Sequence, residues 1–193
     1  MVAVRKLGAK QQARDFREPS RINYRTLAAG LDHYEALGYP YLEVPWVVDP
    51  KATHVTLPKE RRATSVYFGD LVGSGEQSYI ELMQRGQTIT KACCITPCFR
   101  DEEQYDELHH AYFMKLELIN TDATTQNLQA MIGDALSFFQ QFTPSTVIET
   151  GKNMFDIIDE KTGIELGSYG FRSFDTHTFI YGTGVALPRL DNL

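Results

Sequence analysis

Apolar residues along the chain fall into helical and strand-like spacings that alternate from end to end. Tyr24, Leu27, Leu31 and Tyr34 recur every three or four positions, which predicts a helix over residues 22–37 stopped at Gly38. Residues 39–48 are rich in Tyr and Val and predict a strand, with Pro40 and Pro45 at edge or turn positions. Residues 50–64 are polar and carry Lys59, Glu60, Arg61 and Arg62, the pattern of a surface loop. SVYFGDLVG, residues 65–73, predicts a strand, and a short helix follows from Glu76 to Met83 before Gly86. Two strands, 92–101 and 111–119, flank EEQYDELHH, a loop length that suits an antiparallel hairpin. The clearest helix covers residues 123–142. Leu128, Met131, Ile132, Ala135, Phe139 and Phe142 form its stripe, with Thr121 or Asp122 as the cap. Asp156-Ile157-Ile158 and Ile164-Glu165-Leu166 flank the turn-forming run DEKTG, a second hairpin. Thr178–Tyr181 predicts a last strand, which runs into Gly182-Thr183-Gly184.

Hairpins outnumber helical crossovers in this order. The expected fold class is therefore α+β, a mainly antiparallel sheet flanked by helices. Residues 1–20 lack periodicity and carry five Lys/Arg, so they read as a polar N-terminal arm. Residues 21–193 read as one domain, since 193 residues suit a single core.

Composition adds exclusions. A net charge of -6 argues against gripping nucleic acid by bulk electrostatics, which needs a basic face. No apolar segment suits a signal peptide or a membrane span, so the expected location is the cytoplasm. Cys93, Cys94 and Cys98 sit within six residues on a predicted core strand. Neighbouring strand residues point to opposite faces, so Cys93 and Cys94 do not share a zinc ion. The three read as buried thiols.

The densest chemistry is Phe99-Arg100-Asp101-Glu102, a polar loop, then His109-His110-Ala111-Tyr112-Phe113. Arg100 and Glu102 share a strand face, where they bracket an anion and an amine, and Phe113 offers a flat ring to a base. A surface ion pair beside core aromatics is the plainer reading of the same residues.

The pattern FRDE, loop, HHAYF resembles motif 2 of the class II aminoacyl-tRNA synthetases. Two further segments are similar to that family in the same order. A helix followed by Gly38-Tyr39 through Val44-Pro45 looks like motif 1, and Gly182-Thr183-Gly184-Val185-Ala186-Leu187-Pro188-Arg189-Leu190 looks like motif 3. The resemblance implies a class II synthetase-like core that binds ATP and activates an amino acid as its adenylate. Arg100 and Arg189 then carry the catalysis. Arg100 meets the α-phosphate, His109 and Arg189 the γ-phosphate, Glu102 the adenine or the amino group, and Phe113 stacks on adenine. Asp156 and Glu165 hold Mg²⁺, and Glu76 and Gln77, in Gly73-Ser74-Gly75-Glu76-Gln77, hold the substrate amino group. Motif 1 implies a homodimer through residues 22–48, with Pro45 and Trp46 at the interface. The acceptor is tRNA or another acyl acceptor.

Departures from the family give a second reading. Pro188 stands where the family usually has Glu, four residues follow Arg189, and the 193 residues include no anticodon-binding domain. These features suit a catalytically silent paralogue, acting as a regulatory or small-molecule-binding subunit. Motif 2 also sets a geometric expectation. Arg100 should face an open cleft within reach of Arg189 and Glu165, with no protein anion between the two arginines.

Overall fold

The computed structural model describes residues 22–102, 106 and 108–193; the arm expected over residues 1–20 lies outside them. Its centre is a six-stranded sheet in the order β4-β5-β9-β8-β7-β6, and every neighbouring pair in it is antiparallel. The strands are β4 Lys91–Phe99, β5 Tyr112–Asn120, β6 Ser145–Gly151, β7 Met154–Asp159, β8 Glu165–Phe174 and β9 His177–Ala186. A smaller sheet joins β1 Val47–Val48, β3 Gly69–Leu71 and β2 Thr64–Val66. Among the described residues, four α-helices pack around them: α1 Tyr24–Ala36, α2 Pro50–Thr56, α3 Gly75–Gln84 and α4 Thr125–Phe139. The α+β architecture read from the hairpin pattern is the one observed.

Alternation along the strands splits the interior in two. On one side Cys93, Leu116, Leu118, Tyr169 and Ile180 meet Leu27 and Tyr34 of α1 and Leu128, Met131 and Phe138 of α4. On the other, Ala92, Cys94, Ile119 and Phe179 meet Tyr79, Ile80 and Met83 of α3 and Ala52 of α2. Each large apolar side chain buried this way stabilises the fold by about 1.5–3 kcal/mol.

Local signals explain the helix ends. Asn23 caps α1 by accepting from the N–H groups of Arg25 and Thr26. Gly38, just past α1, holds φ +80, a left-handed turn that favours glycine. Thr124 caps α4, rather than Thr121 or Asp122. That helix closes at Phe139, so Phe138 takes the buried place expected for Phe142, which is exposed.

Four stretches differ from expectation. The loop expected at residues 50–64 contains α2, started by Asp49, whose side chain accepts from the Lys51 N–H, with Pro50 in the first turn. The strand expected over residues 39–48 is mostly irregular. Pro40 and Pro45 have no N–H to donate, and Tyr41 makes only an isolated parallel bridge to Cys93. Residues 65–73 form the β2–β3 hairpin rather than one strand, with Tyr67 and Phe68 exposed at its tip. Strand β6 was not expected; much of it is exposed, so its apolar alternation is weak.

Candidate active site

On the face opposite α1 and α4, β5 offers Lys115 and Glu117 where a core strand would place apolar residues. Both are largely buried. The Lys115 ammonium lies 2.7 Å from Glu117 Oε1. Glu117 also accepts from the Ser74 hydroxyl at 2.6 Å and from the Glu76 N–H at 3.2 Å, where α3 begins. Gly75 makes this approach possible: a Cβ there would lie 2.8 Å from both Cys94 Sγ and Glu117 Oε2. Burial alone would push the Glu117 carboxyl up. Lys115 and the Ser74 hydroxyl outweigh it and hold the group below the usual glutamate value.

A second ion pair lies nearby. Arg172 of β8 reaches Glu76 at 2.8 Å and stacks over Tyr181 of β9, 5.0 Å from the ring centre. Burial wins at Glu76, so its carboxyl is pushed up despite the pull of Arg172. Gln77 is engaged by the protein at both ends of its amide. It accepts from the Gly73 N–H at 2.7 Å and donates to the Thr56 hydroxyl at 2.9 Å.

Two cavities open over these groups. One, of about 300 Å³, lies under α2 and includes Glu76, Gln77, Glu117 and Arg172 in its wall. The other, of about 270 Å³, lies by the β4–β5 loop and includes Glu102, His109, Phe113, Glu165 and Arg189. Arg100, Lys115, Ser168 and Thr183 line both, so the cavities meet at these four residues.

Arg100 follows β4 directly. Its backbone N–H reaches Ala111 O at 2.9 Å and its Nε donates to Gly73 O at 2.7 Å. Its guanidinium lies over the Phe113 ring, 5.7 Å from the centre. Glu102 is ion-paired with Arg61. His109 Nδ1 lies 2.9 Å from Asp106 Oδ1, which also accepts from the Leu108 and His109 N–H groups.

Glu165 owes its orientation to a bulge. Ile157 stands opposite Gly167 and Ile158 opposite Glu165, which leaves Leu166 as an extra residue on β8. Without it, Glu165 would share the helix-side face with Tyr169; the bulge turns it into the cavity. There it accepts from Arg189 at 2.6 Å. The expectation of two arginines converging without a protein anion is therefore corrected, because Glu165 already neutralises Arg189. Asp156 lies opposite Ser168 on the neighbouring strand. Its carboxyl is pushed up, first by burial and then by the Glu165 charge, against a hydrogen bond from Ser168.

Cys93, Cys94 and Cys98 are free thiols, all buried. Burial pushes Cys98 up to about 11 and Cys93 up to about 12, and raises Cys94 well above its usual value. Among the described residues, no group of three or more His, Cys, Asp or Glu is placed to hold a metal ion by itself.

Most residues expected from sequence thus line the two cavities; Asp156 reaches them only through Ser168. Lys115, Glu117, Arg172, Tyr181 and Thr183 were missed. The signal for the first two was present in YFMKLELIN, where charges occupy alternate positions of an otherwise apolar strand.

No protein-family model matches the sequence, and no curated protein matches it in sequence. Solved structures match its shape. A seryl-tRNA synthetase from Pyrococcus horikoshii, complexed with ATP, superposes with a TM-score of 0.70 at 16% identity, over 86% of this chain and 49% of that one. A cytoplasmic serine-tRNA ligase from Naegleria fowleri, in complex with AMP, gives 0.66 at 16%, over 86% and 47%. PylSc, a pyrrolysyl-tRNA synthetase from Desulfitobacterium hafniense, gives 0.64 at 14%, over 86% and 64%. The chain spans about half the length of the first two and less than two thirds of the third. Its fold is that of the class II aminoacyl-tRNA synthetase core.

Proposed function

We propose that this chain binds ATP in the cavity beside the β4–β5 loop and activates an amino acid seated in the cavity under α2. The observation that carries this reading is the meeting of the two cavities at Arg100, Lys115, Ser168 and Thr183. A carboxylate entering from one side and an α-phosphate from the other would face each other there. Two structural neighbours hold ATP and AMP, which supports a nucleotide in this fold.

The reaction asks little covalent work of the protein. A carboxylate oxygen attacks the α-phosphorus, the bond to the bridging oxygen breaks, and pyrophosphate leaves with that electron pair. Positioning and charge carry the rate. Arg100, held by Gly73 O and the Phe113 ring, lines the junction, so its positive charge stands where negative charge builds on the phosphate. Phe113 offers its ring to adenine. Arg189 and His109 line the side where the leaving phosphates would lie, and Glu102 stands with them. Glu76 and Gln77 border the substrate's ammonium side. The Arg172 pair leaves Glu76 able to share its carboxylate, while the Gln77 amide serves mainly to fix the Gly73 turn.

Asp156 and Glu165 suit a hard divalent cation: two carboxylates on adjacent strands, with Asp156 raised by burial and then by the charge of Glu165. Mg²⁺ held there with ATP phosphates would neutralise charge on the departing pyrophosphate. Binding it requires Glu165 to release Arg189, which then becomes available to phosphate.

The exposed Trp46, 52% accessible, with Tyr41 and Leu37 nearby in sequence, supports a homodimer through residues 22–48. No helix of the described residues is long and apolar enough to cross a membrane. Three free thiols support a reducing compartment such as the cytoplasm. The acyl acceptor in this reading is tRNA or another nucleophile.

Amino-acid-dependent exchange of pyrophosphate into ATP tests the proposal, with calorimetry for ATP binding. Arg100→Ala should lower exchange about 10²–10³-fold, as loss of a transition-state donor does. If wild type binds ATP and Arg100→Ala binds it equally well, the phosphate assignment is wrong. ATP binding without exchange for any amino acid would instead support the silent, ligand-binding paralogue.

A further inference from the structure

Arg172 stands in the wall of the cavity under α2 on a platform laid by two neighbouring strands. Side chains alternate along β8, so Ser168, Gly170 and Arg172 share the cavity face while Tyr169 and Phe171 join the helix-side layer. Gly170 lies opposite Tyr181 of β9, and a Cβ at Gly170 would come within 3.0 Å of the Tyr181 hydroxyl. The missing side chain gives the Tyr181 ring its place, and the Arg172 guanidinium rests over that ring. From there Arg172 Nε donates to Glu76 Oε1 at 2.8 Å, while Nη2 reaches Oε2 only at 3.5 Å. One carboxylate oxygen is thus closely held and the other loosely, in the wall of the cavity.

We propose that Arg172 is a positioning residue for amino-acid activation: it fixes the Glu76 carboxylate in the cavity wall and keeps it charged for the ammonium group of the substrate. The inference rests on the reading of this cavity as the seat of the activated acid. The groups facing Glu76 come from three strands. β8 supplies Arg172, β5 supplies Lys115 and Glu117, and β9 supplies Tyr181. Helix α2 brings Thr53 and Thr56 to the wall, which carry no charge, and Arg61, Arg62, Arg100 and Asp101 line it from the adjoining segments. Lys115 is claimed by Glu117 at 2.7 Å, so Arg172 is the cation that belongs to Glu76. Burial drives Glu76 toward its neutral form, and the Glu117 charge adds to this. Without Arg172, Lys115 would be left to oppose both, and a neutral carboxyl offers an ammonium group no opposite charge. A pair that served the fold alone would not need this arrangement, since well-packed apolar residues in place of a buried ion pair are often as stable or more so.

In Arg172→Met the Glu76 pKa rises above its wild-type value, so the charged receptor is lost first at low pH and regained as pH rises. The test is exchange of pyrophosphate into ATP with the amino acid used best, followed across the neutral range of pH. The ratio of variant to wild-type KM for the amino acid cancels the titration of the substrate itself. That ratio should exceed about tenfold on the acid side and fall as pH rises, by no more than about tenfold per pH unit for a single proton. The kcat at saturation and the ATP affinity by calorimetry should stay within about threefold of wild type, as expected when ground-state binding of the amino acid is what is lost. Arg172→Lys, which keeps a cation, should restore most of the loss. In a Glu76→Gln background, where the receptor is already neutral, Arg172→Met should add nothing. A ratio near one, a ratio flat with pH, or a further loss beyond Glu76→Gln overturns the role and leaves adenylation standing. Carboxyl-carbon NMR of wild type labelled in glutamate covers a failure of Arg172→Met to fold. The Glu76 signal, assigned by its loss in Glu76→Gln, should be that of an ionised carboxylate at neutral pH, and a protonated Glu76 there overturns the role on its own. Exchange with none of the twenty amino acids overturns adenylation, and the positioning role with it.

Discussion

Two faces of one strand show how this molecule divides its labour. On β5, Leu116 and Leu118 point toward α1 and α4 into an apolar layer, while Lys115 and Glu117, one residue away each, point toward the cavities. The helix-side face is closed by aromatic packing among Tyr34, Tyr39 and Phe138. The cavity face is closed where α3 and α2 cover it; elsewhere its strands carry ions. The first face stabilises the sheet through area removed from water. The second holds charges out of water and offsets that with pairing and with the N-terminus of α3. A rigid first face is what allows the second to keep its geometry.

The comparison is broken most strongly by removing one half of an ion pair. Lys115→Met leaves the Glu117 carboxylate buried without its cation, and stability should fall by about 3–5 kcal/mol in urea unfolding. A loss below about 1 kcal/mol, the value of an exposed pair, would show that the cavity face is wet enough to behave as surface. Leu118→Ala, on the other face, should lower stability by about 2–5 kcal/mol through lost transfer energy and a residual cavity. ATP affinity measured on the folded fraction should stay as in wild type. A weaker affinity would mean that the two faces are mechanically coupled.

The smallest effect concerns acid. Glu117 has a folded pKa below its unfolded value, near 4.5. Its contribution is therefore complete above that value and is lost as pH falls through the folded pKa. Glu117→Gln should flatten the fall in stability between pH 5 and pH 3, by less than about 1.4 kcal/mol per pH unit for one proton. An unchanged slope would assign the acid sensitivity to other carboxylates.

Helices α1 and α4 were legible because an apolar stripe repeats over two to three turns, although Tyr24 at the start of the α1 stripe is exposed. The β4–β5 hairpin was legible because two apolar runs flank a polar loop. Helix α2 was misread, although Asp49-Pro50 is a capping signal, because charged residues 59–62 dominate the window. The stretch 39–48 misled through composition: Tyr and Val favour strands, but two prolines leave gaps in any ladder. For the site, motif spacing located Arg100, Glu102, His109, Phe113 and Arg189 beside one cavity. It missed Arg172 and Tyr181, because their value depends on the β8–β9 hairpin docking beside β5, much earlier in the chain, and facing Glu76 of α3. No local pattern contains that. The Glu165–Arg189 pair was hidden for a related reason: counting by twos along β8 puts Glu165 on the wrong face, and only the pairing register reveals the extra Leu166.

The adjacent thiols Cys93 and Cys94 give the protein two internal clocks. Burial pushes the Cys93 thiol up to about 12 and raises Cys94 well above its usual value, so both stay protonated at neutral pH and shielded from solvent, and disulfide reagents cannot attack until the chain around them opens. Cys93 belongs to the helix-side layer and Cys94 to the layer under α3. The rate at which each is labelled therefore times the parting of a different set of elements from the same strand. Ligand binding under α2 would slow one clock and leave the other running at its own pace.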